Sequence, residues 1–224
     1  VGGIAPIVGP LVGAAILQFT DWRVSFWVVA GLGALMVVAV AAWIPESLPV
    51  GKRHRGGLTA LAGAARQVTG NRAFVGHLVV MALSMGVTFA YVASSAFVLQ
   101  GMNGLSPVQY SVVFAANAVG LTIATLVAAR LAGRVPTRTV IATGLLATGF
   151  AGVLLLVGAV AWGMPLHVTV VGFFVLMSAQ GLIGPNAGAL ASQAVPDHPG
   201  TGSALLGFFQ WCAAGVVAPI VGLG

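Results

Sequence analysis

The chain consists largely of seven apolar blocks, each about as long as a helix that crosses a membrane. A helix needs roughly 20 apolar residues to cross about 30 Å of hydrocarbon. The blocks cover residues 1–19, 24–44, 73–100, 107–129, 139–161, 166–191 and 201–224. A membrane β-strand would alternate apolar and polar residues over about ten positions, and these blocks do not alternate. The sequence therefore predicts an all-α polytopic membrane protein.

The composition excludes several other classes of protein. Hydrophobic residues make up 59% of the 224 residues and charged residues only 5%, against about 25% charged in soluble domains. Nine Lys and Arg residues are too few for a phosphate-binding face, so we expect no nucleic-acid partner. The single cysteine, Cys212, can form no internal disulfide. Because the first and last blocks are cut by the chain ends and no signal peptide opens the chain, we expect a fragment of a longer polytopic protein.

The positive charges predict the orientation in the membrane. Eight of the nine Lys and Arg residues lie in the second and fourth connections between blocks, and Arg23 alone lies on the other side. The positive-inside rule puts these two connections in the cytoplasm and residues 101–106 and 162–165 outside. The long connection, residues 45–72, carries five of the bases. We interpret it as a solvated basic linker, with an amphipathic helix over residues 58–66 on the membrane surface as the alternative.

Polarity varies along the chain with a period of three blocks. The second and fifth blocks are almost purely aliphatic, whereas the third, fourth, sixth and seventh carry polar residues in their interiors. This pattern is typical of three-helix repeats in which one helix faces lipid, the building plan of major facilitator transporters. On that plan the blocks are spans five to eleven of twelve. Residues 1–44 would then end the first six-helix bundle, 45–72 would be a cytoplasmic basic loop, and 73–224 would form the second bundle without its last span.

The polar residues of the third block share one face of the predicted helix. They are spaced alternately four and three apart, so they form a stripe that must turn away from lipid. The stripe consists of His77, Met81, Ser84, Thr88, Tyr91 and Ser95. Polar faces from four blocks then converge on a cavity, where aromatic rings offer stacking surface and amides donate and accept hydrogen bonds. The predicted substrate-binding residues are Tyr91, Phe97, Asn117, Gln180, Asn186 and Gln210. The alternative for each is an interhelical hydrogen bond that only holds the bundle together.

Several segments resemble drug:proton antiporters of the major facilitator superfamily. Residues 5–13, APIVGPLVG, are similar to the proline-glycine motif of the fifth span. SAFVLQ at 95–100, GLSP at 104–107, GPNA at 184–187 and GTGSALLG at 200–207 resemble the Bcr/CflA (bicyclomycin-resistance) branch. The resemblance implies proton-coupled efflux of small amphipathic drugs by a monomer in the bacterial inner membrane, without a cofactor. Gly9, Pro10 and Gly13 would form a packing and gating contact between the bundles. Arg130 and Arg134 resemble a basic gating loop, here without its acidic residue.

Other functions stay open as alternatives. The same fold serves facilitators and symporters of sugars, amines and other metabolites. A membrane-embedded enzyme or redox-complex subunit is a second alternative. Since the chain has no catalytic motif and its four histidines are dispersed, we expect neither an enzyme nor a metal site. A retinal protein needs an intramembrane lysine, and the only lysine, Lys52, lies in the basic loop. We expect His77 to form a neutral hydrogen bond and the proton-coupling carboxylate to belong to spans outside this chain.

Overall fold

The computed structural model describes residues 16, 19–43 and 57–222, and the elements within these residues are helical. The helices are α1 (Trp22–Trp43), α2 (Leu58–Gly70), α3 (Arg72–Ala96), a π-helical turn (Phe97–Met102), α4 (Pro107–Leu131), α5 (Thr137–Trp162), α6 (Leu166–Ala194) and α7 (Pro199–Val221). Six of them, counting α3 with the π-helical turn as one, are long and apolar enough to cross a membrane. They correspond to six of the seven predicted blocks, and the first block lies almost entirely outside the described residues. The all-α expectation is confirmed.

The chain divides into two units, Val1–Gly57 and Leu58–Gly224. The described part of the first unit is essentially α1, which buries none of its residues. Its first turn is held by local contacts: Arg23 forms a 2.9 Å ion pair with Asp21 and stacks 4.5 Å from the centre of the Trp22 ring. A second tryptophan, Trp43, ends the helix and is exposed. Aromatic residues at both ends of an apolar helix are typical of the two membrane interfaces.

The second unit is a bundle built around α6. This helix contacts α3, α4, α5 and α7, and half of its most apolar stretch is buried, more than in any other described span. Small residues make the close contacts. Gly172 lies against Leu155 of α5, and Gly181 lies against the backbone of α4. A side chain at either position would overlap its neighbour, so glycine sets how near the helices pack.

Helix α5 lies at one side of this bundle and packs mainly on α6. Its buried residues include Gly144, Ala151 and Gly158, which are spaced seven apart and therefore share one face. Large apolar residues on its other side, such as Leu146 and Phe150, are exposed. An aliphatic helix with a single narrow contact face is what the fifth block's composition predicts for a lipid-facing span.

Leu58–Gly70 forms a regular helix, so the expectation of a solvated linker is wrong for these residues; the helix covers the predicted amphipathic stretch, residues 58–66, and continues for one further turn. Val68 of α2 is fully buried against the bundle. Gln67 Oε1 accepts a hydrogen bond from His198 Nε2 at 2.7 Å, which links α2 to the start of α7. Asn71 then caps α3 by accepting bonds from two backbone N–H groups of its first turn, and its own Nδ2 donates to the Ala194 carbonyl at 2.8 Å. The helix is therefore docked on the bundle.

The connection between α3 and α4 is tightly ordered. The π-helical turn Phe97–Met102 extends α3, and Asn103 Nδ2 donates to the Val98 carbonyl at 2.9 Å. Gly104 has a φ of 69°, a backbone conformation that glycine adopts without strain. Ser106 and Gln109 then form a reciprocal capping box at the start of α4. The sequence GLSP thus works as a turn followed by a helix start.

Candidate binding cavity

The bundle has three layers along its long axis. We call the end that carries Arg66, Arg72, Arg130, Arg134 and Arg138 the basic end. The layer at this end is an apolar core of buried residues from α2, α3, α6 and α7 together with the residue that follows α6. It consists of Val68, Phe74, Leu78, Ala191, Val195 and Leu206. This core packs the helices together at the basic end, and a polar middle layer follows it along the bundle axis.

The middle layer contains a cavity of about 260 Å³ between α3, α4, α6 and α7. Its lining combines flexible thioethers, hydroxyls and amides: Met81, Ser84, Met85, Thr88, Leu121, Thr125, Gln180, Gly181, Gly184, Pro185 and Gln210. None of these described lining residues is charged. Such a wall suits a mostly apolar guest that makes a few hydrogen bonds.

Gln180 is held rigidly at the wall of the cavity. Ser84 Oγ donates to Gln180 Oε1 at 2.7 Å. The Gln180 Nε2 group donates to Thr148 Oγ1 at 3.1 Å and to the Leu176 carbonyl at 3.3 Å. The side chain is only 4% exposed, so these bonds satisfy an amide that would otherwise be costly to bury. Three helices, α3, α5 and α6, are joined through this one side chain.

The layer at the opposite end is an aromatic cluster around Tyr91. The Tyr91 ring stacks on Phe114 with centroids 5.7 Å apart and meets Phe173 edge-on at 5.1 Å. Asn117 Nδ2 donates to the Tyr91 hydroxyl at 2.9 Å. Leu99 of the π-helical turn is fully buried in the same cluster. The cluster joins α3, α4 and α6 at a level one turn beyond the cavity.

Two buried polar atoms near this cluster have no hydrogen-bond partner among the described residues, Asn117 Oδ1 and Ser178 Oγ. Gly120 packs against Ser178, because a side chain at position 120 would meet Ser178 Oγ at 2.5 Å. Two hydroxyl groups of the same layer do bond to each other: Ser95 Oγ and the Tyr110 hydroxyl are 3.2 Å apart. The bonds between Ser95 and Tyr110 and between Asn117 and Tyr91 link α3 to α4, while the two unpartnered atoms add no such link.

The structure separates the six predicted substrate-binding residues into groups. Gln180 and Gln210 lie together at the cavity. Tyr91 and Asn117 bond to each other in the aromatic cluster and are 2% and 1% exposed. Phe97 is 64% exposed on the π-helical turn.

The sixth residue, Asn186, bonds within its own helix. Its Nδ2 donates to the Leu182 carbonyl at 2.8 Å. His77, the first residue of the predicted stripe, behaves in the same way, with Nδ1 2.6 Å from the Ala73 carbonyl. Since a carbonyl only accepts, Nδ1 is the donor. Both side chains therefore donate a hydrogen bond to the backbone of their own helix and not to a neighbouring helix of the described residues.

The predicted gating residues lie at the basic end or outside the described residues. Arg130 at the end of α4 and Arg134 in the turn before α5 are both exposed. The ion pair found within the described residues is the one between Arg23 and Asp21, so neither arginine is paired there. Gly9, Pro10 and Gly13 lie outside the described residues.

Sequence reasoning missed several residues of the middle layer, among them Met85, Thr125 and Thr148. Thr148 belongs to the aliphatic fifth block, yet it accepts a bond from Gln180. Thr125 Oγ1 donates to the Leu121 carbonyl at 2.9 Å and also lies 3.3 Å from the Gly181 carbonyl. A lone threonine in an apolar helix usually bonds its own backbone, so composition offers no signal for either contact.

Comparisons with known proteins agree with this architecture. Residues 1–219 match the model of the Major Facilitator Superfamily. The chain is 28% identical over 222 residues to the uncharacterized MFS-type transporter YdgK of Bacillus subtilis, covering 98% of this chain and 55% of the relative. It is 26% identical over 222 residues to a bicyclomycin resistance protein homolog of Haemophilus influenzae, covering 97% and 54%.

A shorter match covers part of the chain. The multidrug resistance protein MdtM of Escherichia coli O157:H7 is 32% identical over 108 residues, which is 48% of this chain and 26% of the relative. The chain spans about half the length of the first two relatives. A family model that matches nearly every residue, together with the six helices able to span a membrane, shows that the chain belongs to the Major Facilitator Superfamily of membrane transporters.

Proposed function

We propose that this chain is the middle of a proton-coupled multidrug efflux transporter that works by alternating access. In this proposal residues 1–44 end the first bundle, 45–72 connect the bundles in the cytoplasm, and 73–224 form the second bundle without its last span. The transporter acts as a monomer in the inner membrane of a bacterium. Two of the matched relatives are named as a bicyclomycin resistance protein homolog and a multidrug resistance protein, which supports drug export.

The observation that carries the proposal is the chemistry of the cavity. Met81 and Met85 supply unbranched, polarizable side chains that repack around guests of different shape. Gln210 makes no side-chain hydrogen bond within the described residues, so its amide is free to donate or accept. Flexible thioethers beside a few polar groups are typical of sites that accept many ligands. A dedicated sugar site would need many more fixed polar groups.

Proton coupling is assigned to the part of the transporter outside this chain. Within the described residues the carboxylates are Asp21 and Asp197, and both are exposed at the ends of helices. His77 donates to the backbone of its own helix. A coupling group takes up a proton from the water on one side and releases it on the other, so it is expected within the membrane, facing the bundle interior or the substrate path. We therefore propose that the first bundle binds and releases the proton that drives efflux, and that the second bundle binds the drug and moves as a rigid body during alternating access.

The remaining predicted residues receive roles in the same proposal. Tyr91 and Asn117 position α3 against α4 behind the cavity, and Asn186 and Phe97 contact drug in another conformation of the transport cycle. Arg130 and Arg134 belong to the gate at the basic end. Closing and opening of the two ends around a central site is how alternating access moves a substrate.

The experiment compares two glutamines in the complete transporter that contains these residues. Gln210→Ala removes an amide from the cavity, whereas Gln193→Ala removes an exposed one near the basic end of α6. In proteoliposomes with an imposed pH gradient, Gln210→Ala should change efflux unevenly among drugs and Gln193→Ala should change none. Equal loss for every drug would contradict a drug contact. Transport of a sugar or amine but of no drug would favour the metabolite alternative.

A further inference from the structure

We propose that the cavity selects ligands that donate hydrogen bonds through N–H groups, such as aromatic cations with primary amino groups. This inference rests on the proposed drug-binding function and adds the chemical class of ligand. It follows from which hydrogen-bond donors and acceptors of the cavity wall already have partners within the protein. A wall whose donors are engaged and whose acceptors are free is complementary to a donor.

The hydroxyl hydrogens at the cavity are already engaged. Thr88 Oγ1 donates to the Ser84 carbonyl at 3.0 Å, and Thr125 Oγ1 donates to the Leu121 carbonyl at 2.9 Å. Ser84 Oγ donates to Gln180 Oε1. Each hydroxyl has one hydrogen and two lone pairs. All three oxygens can therefore only accept from a ligand.

The amide of Gln180 likewise has both of its hydrogens engaged in bonds within the protein. The Leu176 carbonyl can only accept, so the atom that faces it must be Nε2, and the other hydrogen of that group goes to Thr148 Oγ1. Oε1 must then face Ser84, from which it accepts one bond. One lone pair of Oε1 is left. Gln180 thus contributes an acceptor and no donor.

Pro185 adds a backbone acceptor. It lies inside α6 and has no N–H group, so the carbonyl of Gly181, four residues earlier, receives no helical hydrogen bond from it. The polar side-chain atom near that carbonyl oxygen is Thr125 Oγ1, at 3.3 Å. Because a carbonyl oxygen has two lone pairs, at least one stays available at the cavity wall. The thioether sulfurs of Met81 and Met85 are weak acceptors as well.

The wall therefore presents acceptors from three helices and one amide, that of Gln210, with hydrogens to give. Acceptor oxygens at the wall can each take a hydrogen bond from a ligand that carries N–H donors, which lowers the cost of moving its polar N–H groups out of water. A ligand that offers only acceptors would face unpaired lone pairs and lose affinity. The expected ligand is an aromatic cation bearing N–H donors.

Two dyes with the same three-ring skeleton test the inference. Proflavine carries two primary amino groups, and acridine orange carries the same nitrogens fully methylated, while both are cations near neutral pH. Binding to the complete purified transporter is measured by the fluorescence of each dye. We expect proflavine to bind more tightly. Removing one acceptor by Thr88→Val should weaken proflavine binding about two- to tenfold and leave acridine orange nearly unchanged.

The matched control is Thr122→Val. Thr122 lies on α4 and, like Thr88 on α3, its Oγ1 donates to the carbonyl four residues earlier, here that of Ala118, but it does not line the cavity. It should leave the ratio of the two affinities unchanged, and Thr125→Val repeats the test at a second acceptor. Equal binding of both dyes, or a ratio unaffected by both cavity variants, would overturn the donor preference while leaving drug binding intact. Failure of the wild-type transporter to bind either dye would instead overturn the proposed function, and the donor preference with it.

Discussion

Replacing Gly181 with alanine should push α4 and α6 apart beside the cavity and destabilise the bundle. A methyl group there would lie 2.4 Å from the backbone oxygen of Leu121. It would also lie 2.9 Å from Thr125 Oγ1 and 3.0 Å from the Thr125 nitrogen. Neither a helix backbone nor a stiff β-branched side chain can swing aside. Helix α4 must therefore retreat by about 1 Å to restore an ordinary contact of 3.4 Å.

Two opposing effects set the size of the change. Overpacking a close-packed interior costs about 1–3 kcal/mol, and a clash with backbone belongs at the upper end. Alanine in place of glycine inside a helix stabilises by about 1 kcal/mol. The net loss is about 2 kcal/mol, which lowers the melting temperature Tm of a domain this size by about 4–8 °C.

The matched control is Gly152→Ala on α5. No atom lies within 4 Å of the methyl group that this change adds. It should leave Tm unchanged or raise it slightly. Both variants are heated in detergent, and the monodisperse fraction is measured by size-exclusion chromatography. A Tm for Gly181→Ala equal to or above that of Gly152→Ala would refute a close α4–α6 contact at this position.

Three further predictions concern topology, coupling and the docked helix. Reporter fusions at Gly104 and Trp162 should appear external and a fusion at Val135 internal, because the bases lie on Val135's side; the reverse pattern would contradict the orientation. His77→Asn should leave pH-gradient-driven efflux in proteoliposomes largely intact, and its loss in a folded variant would assign the proton to this bundle. Gln67→Ala removes the bond between α2 and the start of α7, which is worth about 1 kcal/mol. Amide hydrogen exchange in α2 should then become about fivefold faster, and unchanged exchange would show that this bond does not hold α2 on the bundle.

The helices and their ends could be predicted because their signals are local. The block predicted to begin at Pro107 does begin there, since proline suits the first turn of a helix and Ser106 provides the cap. Block length predicted seven spans, and six of them correspond to helices of the described residues that are long and apolar enough to cross a membrane. The π-helical turn at Phe97–Met102 carried no such signal in the sequence, and its buried residue, Leu99, packs into the aromatic cluster.

The site was predicted only in part, since a helical face does not reveal the depth at which its partners lie. Thr88 and Tyr91 share one stripe, yet Thr88 lines the cavity and Tyr91 closes on Asn117 beyond it. That pairing depends on how α3 and α4 are placed side by side. The role of Thr148 depends likewise on the tertiary contact between α5 and α6. Such contacts between helices are not encoded in the periodicity of either one.

The aromatic layer has a consequence for the passage of protons through this bundle. Tyr91, Leu99 and Phe173 are almost completely buried, and they fill the space between α3, α4 and α6 on the side away from the basic end. A file of water molecules that ran through this bundle would conduct protons by hopping from one molecule to the next. The packed side chains of this layer occupy the space that such a file would need, so they act as an electrical insulator between the cavity and the far end of the bundle.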